Sequence, residues 1–308
     1  DTPFAYYATI GNLDFNYLEI RALIPKLKEA GIPFHVRVFD GEHQWPPSEV
    51  ATEAIEWMEV RAMKDGLHEK NPALIEQLFN QRLKQAQNLA SSGNLNEVAD
   101  EYQTIATDFQ SLRDTSSVSA ELTKLNADEK VQKMHKAESQ RDLLDQQFRQ
   151  KLASVNKSIQ DSSKPVPTKE KVFAFLEIES LKKTAKEAPS KEERLHAQRL
   201  LELVCVQHGF YMARNFMEYG DYTRAELMFS VAAEIHPEEP WYWYSLARAQ
   251  TQLGQKEIAL KSLERAVKQG FDDSEKLAND FDLKPLHEEK QFKKLVEETK
   301  KNHQKSKS

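Results

Sequence analysis

Residues 213–237 read ARNFMEYGDYTRAELMFSVAAEIHP, and residues 247–266 read ARAQTQLGQKEIALKSLERA. Ala213, Gly220, Ala225 and Ala232 of the first stretch return 34 residues later as Ala247, Gly254, Ala259 and Ala266. Phe229 is answered by Leu263, and Pro237 closes the first unit. Self-similarity at a fixed period of this size marks stacked supersecondary units. Small side chains at matched positions let two antiparallel helices approach closely, while the larger ones fill the space between hairpins. Gly220-Asp221-Tyr222 and Leu253-Gly254-Gln255 fall at the turns, and Trp243 and Leu246 suit the opening helix of the second unit. The fold class that follows is mainly α.

Composition extends that reading over most of the 308 residues. There are nine glycines, about half the usual share of roughly 7%. Three of them, Gly11, Gly31 and Gly41, fall near the start, and neither glycine nor proline occurs from Asn94 to Lys164. Both residues break helices, so their absence predicts a helical region behind a small, turn-rich beginning. Leu74–Ala90 and Leu95–Leu112 are expected to form a helix hairpin about a turn at Ser91–Asn94. Its Ala86 and Gly93 offer a degenerate third repeat. Leu144, Phe148, Leu152, Val155 and Ile159 share one helix face. Residues 162–167, SSKPVP, read as a linker or sharp turn, and Val172–Lys186 as one helix. A long helix is expected from Lys191 to Tyr219, and a capping helix pair after Gly270. The lysine-rich end is expected to be a disordered tail.

The first 65 residues differ in kind. Phe4–Ile10 (FAYYATI) is aromatic and β-branched, as a buried strand should be. Leu18, Ala22, Leu23 and Leu27 form a helical stripe closed by Gly31, with Pro25 expected to kink or shorten it. Phe34–Phe39 alternates as a second strand, and Pro47 suits the first turn of a helix running to about Lys64. A helical crossover between two strands favours parallel pairing. The loops leaving the carboxyl ends of parallel strands lie on one edge of a sheet. Asp14 follows the first strand and His43 the second, so the topology brings the two together. An aspartate there can fix a histidine's tautomer and stabilise the imidazolium formed during proton abstraction.

The stretches GNLDFNYLEI and GIPFHVRVFDGEHQWPPSEVATEAIEWM resemble the C-terminal end of an α/β-hydrolase, near the esterase and dienelactone-hydrolase branch. In that fold the nucleophile precedes the acid and the histidine comes last. The resemblance covers residues 4–62 and implies catalytic roles for Asp14 as acid and His43 as base. Glu42 departs from it, since relatives often carry glycine there. Read without the resemblance, Asp14 could serve as a helix cap and His43 as a polar turn residue. No Gly-x-Ser-x-Gly occurs anywhere, Ser48 lies too close to His43, and Cys205 sits in an apolar helical context. The expected partner is therefore a missing N-terminal hydrolase half that carries the nucleophile. The chain alone is expected to be inactive as an ester or acyl hydrolase.

The repeats resemble the tetratricopeptide repeat, which implies a concave face that binds a partner peptide. At equivalent positions facing that groove the units offer Phe210 with Arg214 and Tyr244 with Arg248. Arginine forks bind carboxylates in two-pronged fashion, which points to an acidic or C-terminal peptide. The competing reading pairs both arginines with neighbouring glutamates on the same solenoid.

Other chemistry is sparse. Net charge is −6, which supplies no basic field for nucleic acid. Mean hydropathy is −0.70, and no apolar run approaches the ~20 residues of a membrane span. His68-Glu69 and His287-Glu288 lack the second histidine of a zinc-protease helix. No metal or cofactor is expected, since there is no phosphate-binding glycine loop and no cysteine pair. Cys205 stands alone and does not assign a compartment. The expected organisation is 1–65, the hydrolase portion as a βαβα remnant; 66–189, helical hairpins and long amphipathic helices; 190–298, repeats with capping helices; and 299–308, the tail. The function expected is a serine-hydrolase fragment joined to a protein-interaction module, with a non-catalytic repeat scaffold as the alternative.

Overall fold

The computed structural model describes residues 4–91 and 95–306, which fall into two compact units, Asp1–Gln146 and Gln147–Ser308. The first opens with β1 (Tyr6–Gly11), α1 (Tyr17–Glu29), β2 (Phe34–Phe39) and α2 (Ser48–Lys64). The strands pair in parallel, from Tyr6 opposite Phe34 to Gly11 opposite Phe39. With α1 as the crossover, both strands end at the same edge. Helix α1 continues through Pro25 rather than stopping there, because Leu18 and Leu27 are buried on either side of it. Trp57 of α2 packs against Tyr7, with ring centroids 5.4 Å apart.

Helices α3 (Pro72–Ser91) and α4 (Leu95–Phe109) form the expected hairpin; Ser92, Gly93 and Asn94 of its turn lie outside the described residues. Val60 and Met63 of α2, Phe79 and Ala86 of α3, Ile105 and Phe109 of α4, and Val118 of α5 (Ser116–Ala127) share one hydrophobic core. Packing is therefore continuous across residue 65, where composition alone suggested a boundary. Helix α6 (Glu129–Gln160) carries the chain into the second unit. Phe148, Leu152 and Ile159 of its stripe are buried, whereas Leu144 is exposed.

In the second unit the single helix expected over 172–186 is two. Helices α7 (Lys169–Leu176) and α8 (Ile178–Glu187) meet at Glu177, which has φ +56°. Leu176 and Ile178, on either side, are both fully buried, and that burial holds a left-handed residue no turn signal announces. Ser190 caps α9 (Lys191–Cys205) by accepting from the Glu193 amide, as its spacing to a glutamate three residues on requires. The run to residue 218 widens into a π-helical turn at Val206–Met212 before α10 (Ala213–Glu218).

Next come α11 (Tyr222–Ile235), α12 (Pro240–Gln252) and α13 (Lys256–Lys268). Asp221 caps α11 with its side chain, and Pro240 sits in the first turn of α12, where its missing N–H costs nothing. All six repeat alanines, Ala213, Ala225, Ala232, Ala247, Ala259 and Ala266, are fully buried. Gly220 and Gly254 adopt φ +74° and +75°, a turn conformation in which a side chain would be strained. The chain closes with α14 (Ser274–Asn279), a 3-10 turn (Phe281–Leu286) and α15 (Lys290–Ser306). The end is thus helical as far as Ser306, not a disordered tail. Thr299 is fully buried, and Asn302 donates to the Val267 and Phe271 carbonyls, so tertiary contacts overrule the lysine-rich composition.

Candidate functional site

Two loops at the carboxyl ends of β1 and β2 build the candidate acid–base site. Gly11, the last residue of β1, lies directly under the second loop. A side chain there would place its Cβ 2.4 Å from the carbonyl oxygens of both Gly41 and Glu42, so only glycine lets the loops close together. Asn12 bridges them. Its Nδ2 donates to Asp40 Oδ1 at 2.6 Å, and its Oδ1 accepts from the Gly41 amide at 3.2 Å. Backbone bonds from Asn12 to the Phe39 carbonyl and from Leu13 to the Gly41 carbonyl complete the splice.

That splice delivers His43 Nδ1 to within 2.9 Å of Asp14 Oδ2. Asp14 is buried, and its other oxygen accepts from the Asn16 amide at 2.8 Å, which fixes the carboxylate plane. Asp14 therefore turns the chain and faces His43 at once, one function per oxygen. A carboxylate oxygen can only accept, so Nδ1 carries the proton and Nε2 presents its lone pair. The His43 side chain is 61% exposed, and the Phe15 ring lies 4.4 Å from its imidazole. Chemically the pair can hold one tautomer and take up a proton at Nε2. Residue order after a strand flagged Asp14 and His43; Asn12 and Phe15 went unnoticed, although both stand in the same short loop.

The second candidate surface lies on the repeats. Arg214 Cζ sits 4.9 Å from the Phe210 ring, and both side chains are exposed. Among the described residues no carboxylate comes within ion-pair distance of Arg214. The equivalent pair 34 residues on is engaged by the chain itself. Arg248 Nη2 donates to Asp282 Oδ2 at 2.6 Å, and its Nε lies 2.9 Å from Asp280 Oδ2 without hydrogen-bond alignment. The Tyr244 hydroxyl donates to Asp280; burial and that carboxylate hold its phenol well above the ordinary tyrosine range. Tyr244 is fully buried, stacked 4.6 Å from Phe271. Of the four residues singled out, Phe210 and Arg214 face solvent, while Tyr244 and Arg248 face the chain's own closing segment.

Period, buried alanines and left-handed turns together define the helical hairpins. Residues 216–278 match the tetratricopeptide repeat family. This part of the chain is a protein-interaction module, built as a helical solenoid. The match takes in α11, α12, α13 and most of α14, and it leaves the first unit unassigned. No curated protein matches the chain. Among the described residues no three His, Cys, Asp or Glu side chains converge to hold a metal, and no helix is long and apolar enough to cross a membrane.

Proposed function

We propose that the chain joins the acid–histidine portion of a serine-hydrolase relay to a tetratricopeptide protein-interaction module. The observation that carries this reading is the 2.9 Å contact between Asp14 and His43 at the carboxyl edge of a parallel pair. In such a relay His43 Nε2 removes the proton of a serine hydroxyl as the oxygen attacks an ester or acyl carbonyl. The same proton then passes to the leaving group, and Asp14 steadies the imidazolium between the two steps. The serine and its oxyanion donors have to come from outside these 308 residues, since no nucleophile elbow occurs within them.

The test uses the protein at its natural length. A fluorophosphonate probe should label a serine, and His43→Ala should abolish both the labelling and hydrolysis of a short nitrophenyl ester. Asp14→Asn should slow hydrolysis by about 10³–10⁴-fold. An absence of labelling, or labelling indifferent to His43→Ala, overturns the reading.

For the repeats, the partner that the chemistry favours is an acidic peptide or a C-terminal carboxylate, held at Phe210 and Arg214. Arg248, at the equivalent repeat position, already holds two aspartates of its own chain. Arg214 presents the same fork beside an exposed ring with no such partner among the described residues. Calorimetry with carboxylate-ended peptides should show binding that Arg214→Ala weakens about tenfold. Unchanged affinity in that variant removes the assignment. Without an active relay the same module stands as a non-catalytic scaffold.

A further inference from the structure

A cavity of about 290 Å³ opens between the two strands and helices α2, α3 and α4. That volume is at the low end for small-molecule sites, which run ~300–1,000 Å³. Its aromatic wall is continuous. Tyr7 and His35, register partners across the parallel pair, stack at 5.0 Å, and Trp57 closes against them at 5.4 and 6.4 Å. Burial, with help from Arg82 and Arg37, pushes the His35 pKa down to about 3, so the imidazole adds no positive charge.

The charges around this wall do not balance. Arg37 pairs with Glu53 at 2.8 Å. Arg82 is committed twice, to Glu101 at 2.8 Å and to Asp108 at 2.7 Å. Glu56 is left with an uncharged partner, the Gln81 amide at 3.0 Å. Two guanidinium groups therefore meet three lining carboxylates, Glu53, Glu56 and Glu101, and among the described residues Glu56 is the lining acid with no cation within ion-pair distance. Burial raises its pKa, as expected for a carboxylate short of compensation.

We propose that this cavity binds a small aromatic ammonium ion, its ring against Tyr7 and Trp57 and its charge on Glu56. The π faces attract the cation and the ring together. An anion of the same shape would meet unneutralised Glu56, and the two lining arginines already face carboxylates, Arg82 through three nitrogens to Glu101 and Asp108 and Arg37 through Nε to Glu53. The site is independent of Asp14 and His43, so its test does not depend on the relay.

Three probes of one shape and different charge decide it: phenethylamine, 2-phenylethanol and phenylacetate. Each is titrated into the chain while the Trp57 indole N–H resonance is followed by NMR. Phenethylamine should saturate the shift at least tenfold more tightly than 2-phenylethanol, and phenylacetate should not saturate it. Glu56→Gln, which keeps the bond to Gln81 within reach, should reduce phenethylamine to the level of the alcohol. Equal affinities for amine and alcohol, no saturable shift with the amine, or an unchanged amine affinity in Glu56→Gln would each overturn the proposal. The ranking of the three probes on the unaltered chain stands even where the variant folds poorly.

Discussion

Acid should weaken the second unit through one histidine. His208 is fully buried in the π-helical turn. Its Nε2 lies 2.8 Å from Asn156 Oδ1, and Asn156 Nδ2 in turn donates to Gln207 at 2.6 Å, which fixes the amide and hence the imidazole tautomer. Nε2 therefore carries the proton, and Nδ1 is a bare, buried acceptor with no hydrogen-bond partner among the described residues. Protonating Nδ1 would place a charge on a fully buried atom with no acceptor beside it among the described residues. Burial accordingly lowers the His208 pKa from 6.5 to about 4.

The sign follows from linkage. Below pH 6.5 the unfolded chain takes up a proton that the folded state refuses until about pH 4, so stability falls as pH falls through that window. The full effect is about 3 kcal/mol, of which roughly 2 kcal/mol is lost between pH 7 and pH 4.5. The assay is urea unfolding at both pH values, for the unaltered chain and for His208→Gln, which keeps a donor toward Asn156 and does not titrate. Carboxylates contribute equally to both proteins and cancel in the comparison. His208→Gln should lose about 2 kcal/mol less than the unaltered chain on acidification. Parallel losses, within about 0.5 kcal/mol, would refute the reasoning, as would an imidazole NMR titration of the folded protein with a midpoint near 6.5.

Other outcomes test the packing. Gly11→Ala should destabilise the first unit by about 1–3 kcal/mol and broaden the His43 resonances, because the new methyl group meets two carbonyl oxygens. Asn12→Ala should cost about 1–2 kcal/mol in a thermal scan and let His43 drift from Asp14, lowering any relay rate without touching a reacting atom. Leu263→Ala, at a fully buried repeat position, should cost about 2–5 kcal/mol by urea unfolding. Arg248→Ala should destabilise the repeats by about 1–2 kcal/mol because it removes the cation facing Asp280 and Asp282, whereas exposed Arg214→Ala should stay within about 0.5 kcal/mol.

What could be read before the fold was known is what local chemistry encodes. A period of 34, with alanine wherever two helix backbones approach, specifies stacked hairpins in any surroundings. The strand–helix–strand order of residues 6–39 specifies a parallel pair, and with it the edge on which Asp14 and His43 both stand. The features that escaped all depend on residues far apart in sequence. Glu177 is left-handed because its neighbours are buried, and residues 299–306 are helical because Asn302 finds carbonyls more than thirty positions upstream. Asp280 and Asp282 decide that Arg248 is occupied, whereas among the described residues no carboxylate lies within ion-pair distance of Arg214. Among the described residues Glu56 has no cation within ion-pair distance, while Arg37 and Arg82, from a strand and from another helix, pair with other carboxylates. Periodicity and turn chemistry are properties of the chain, whereas the pairing of charges and the burial of polar atoms belong to three-dimensional neighbours that no short stretch specifies.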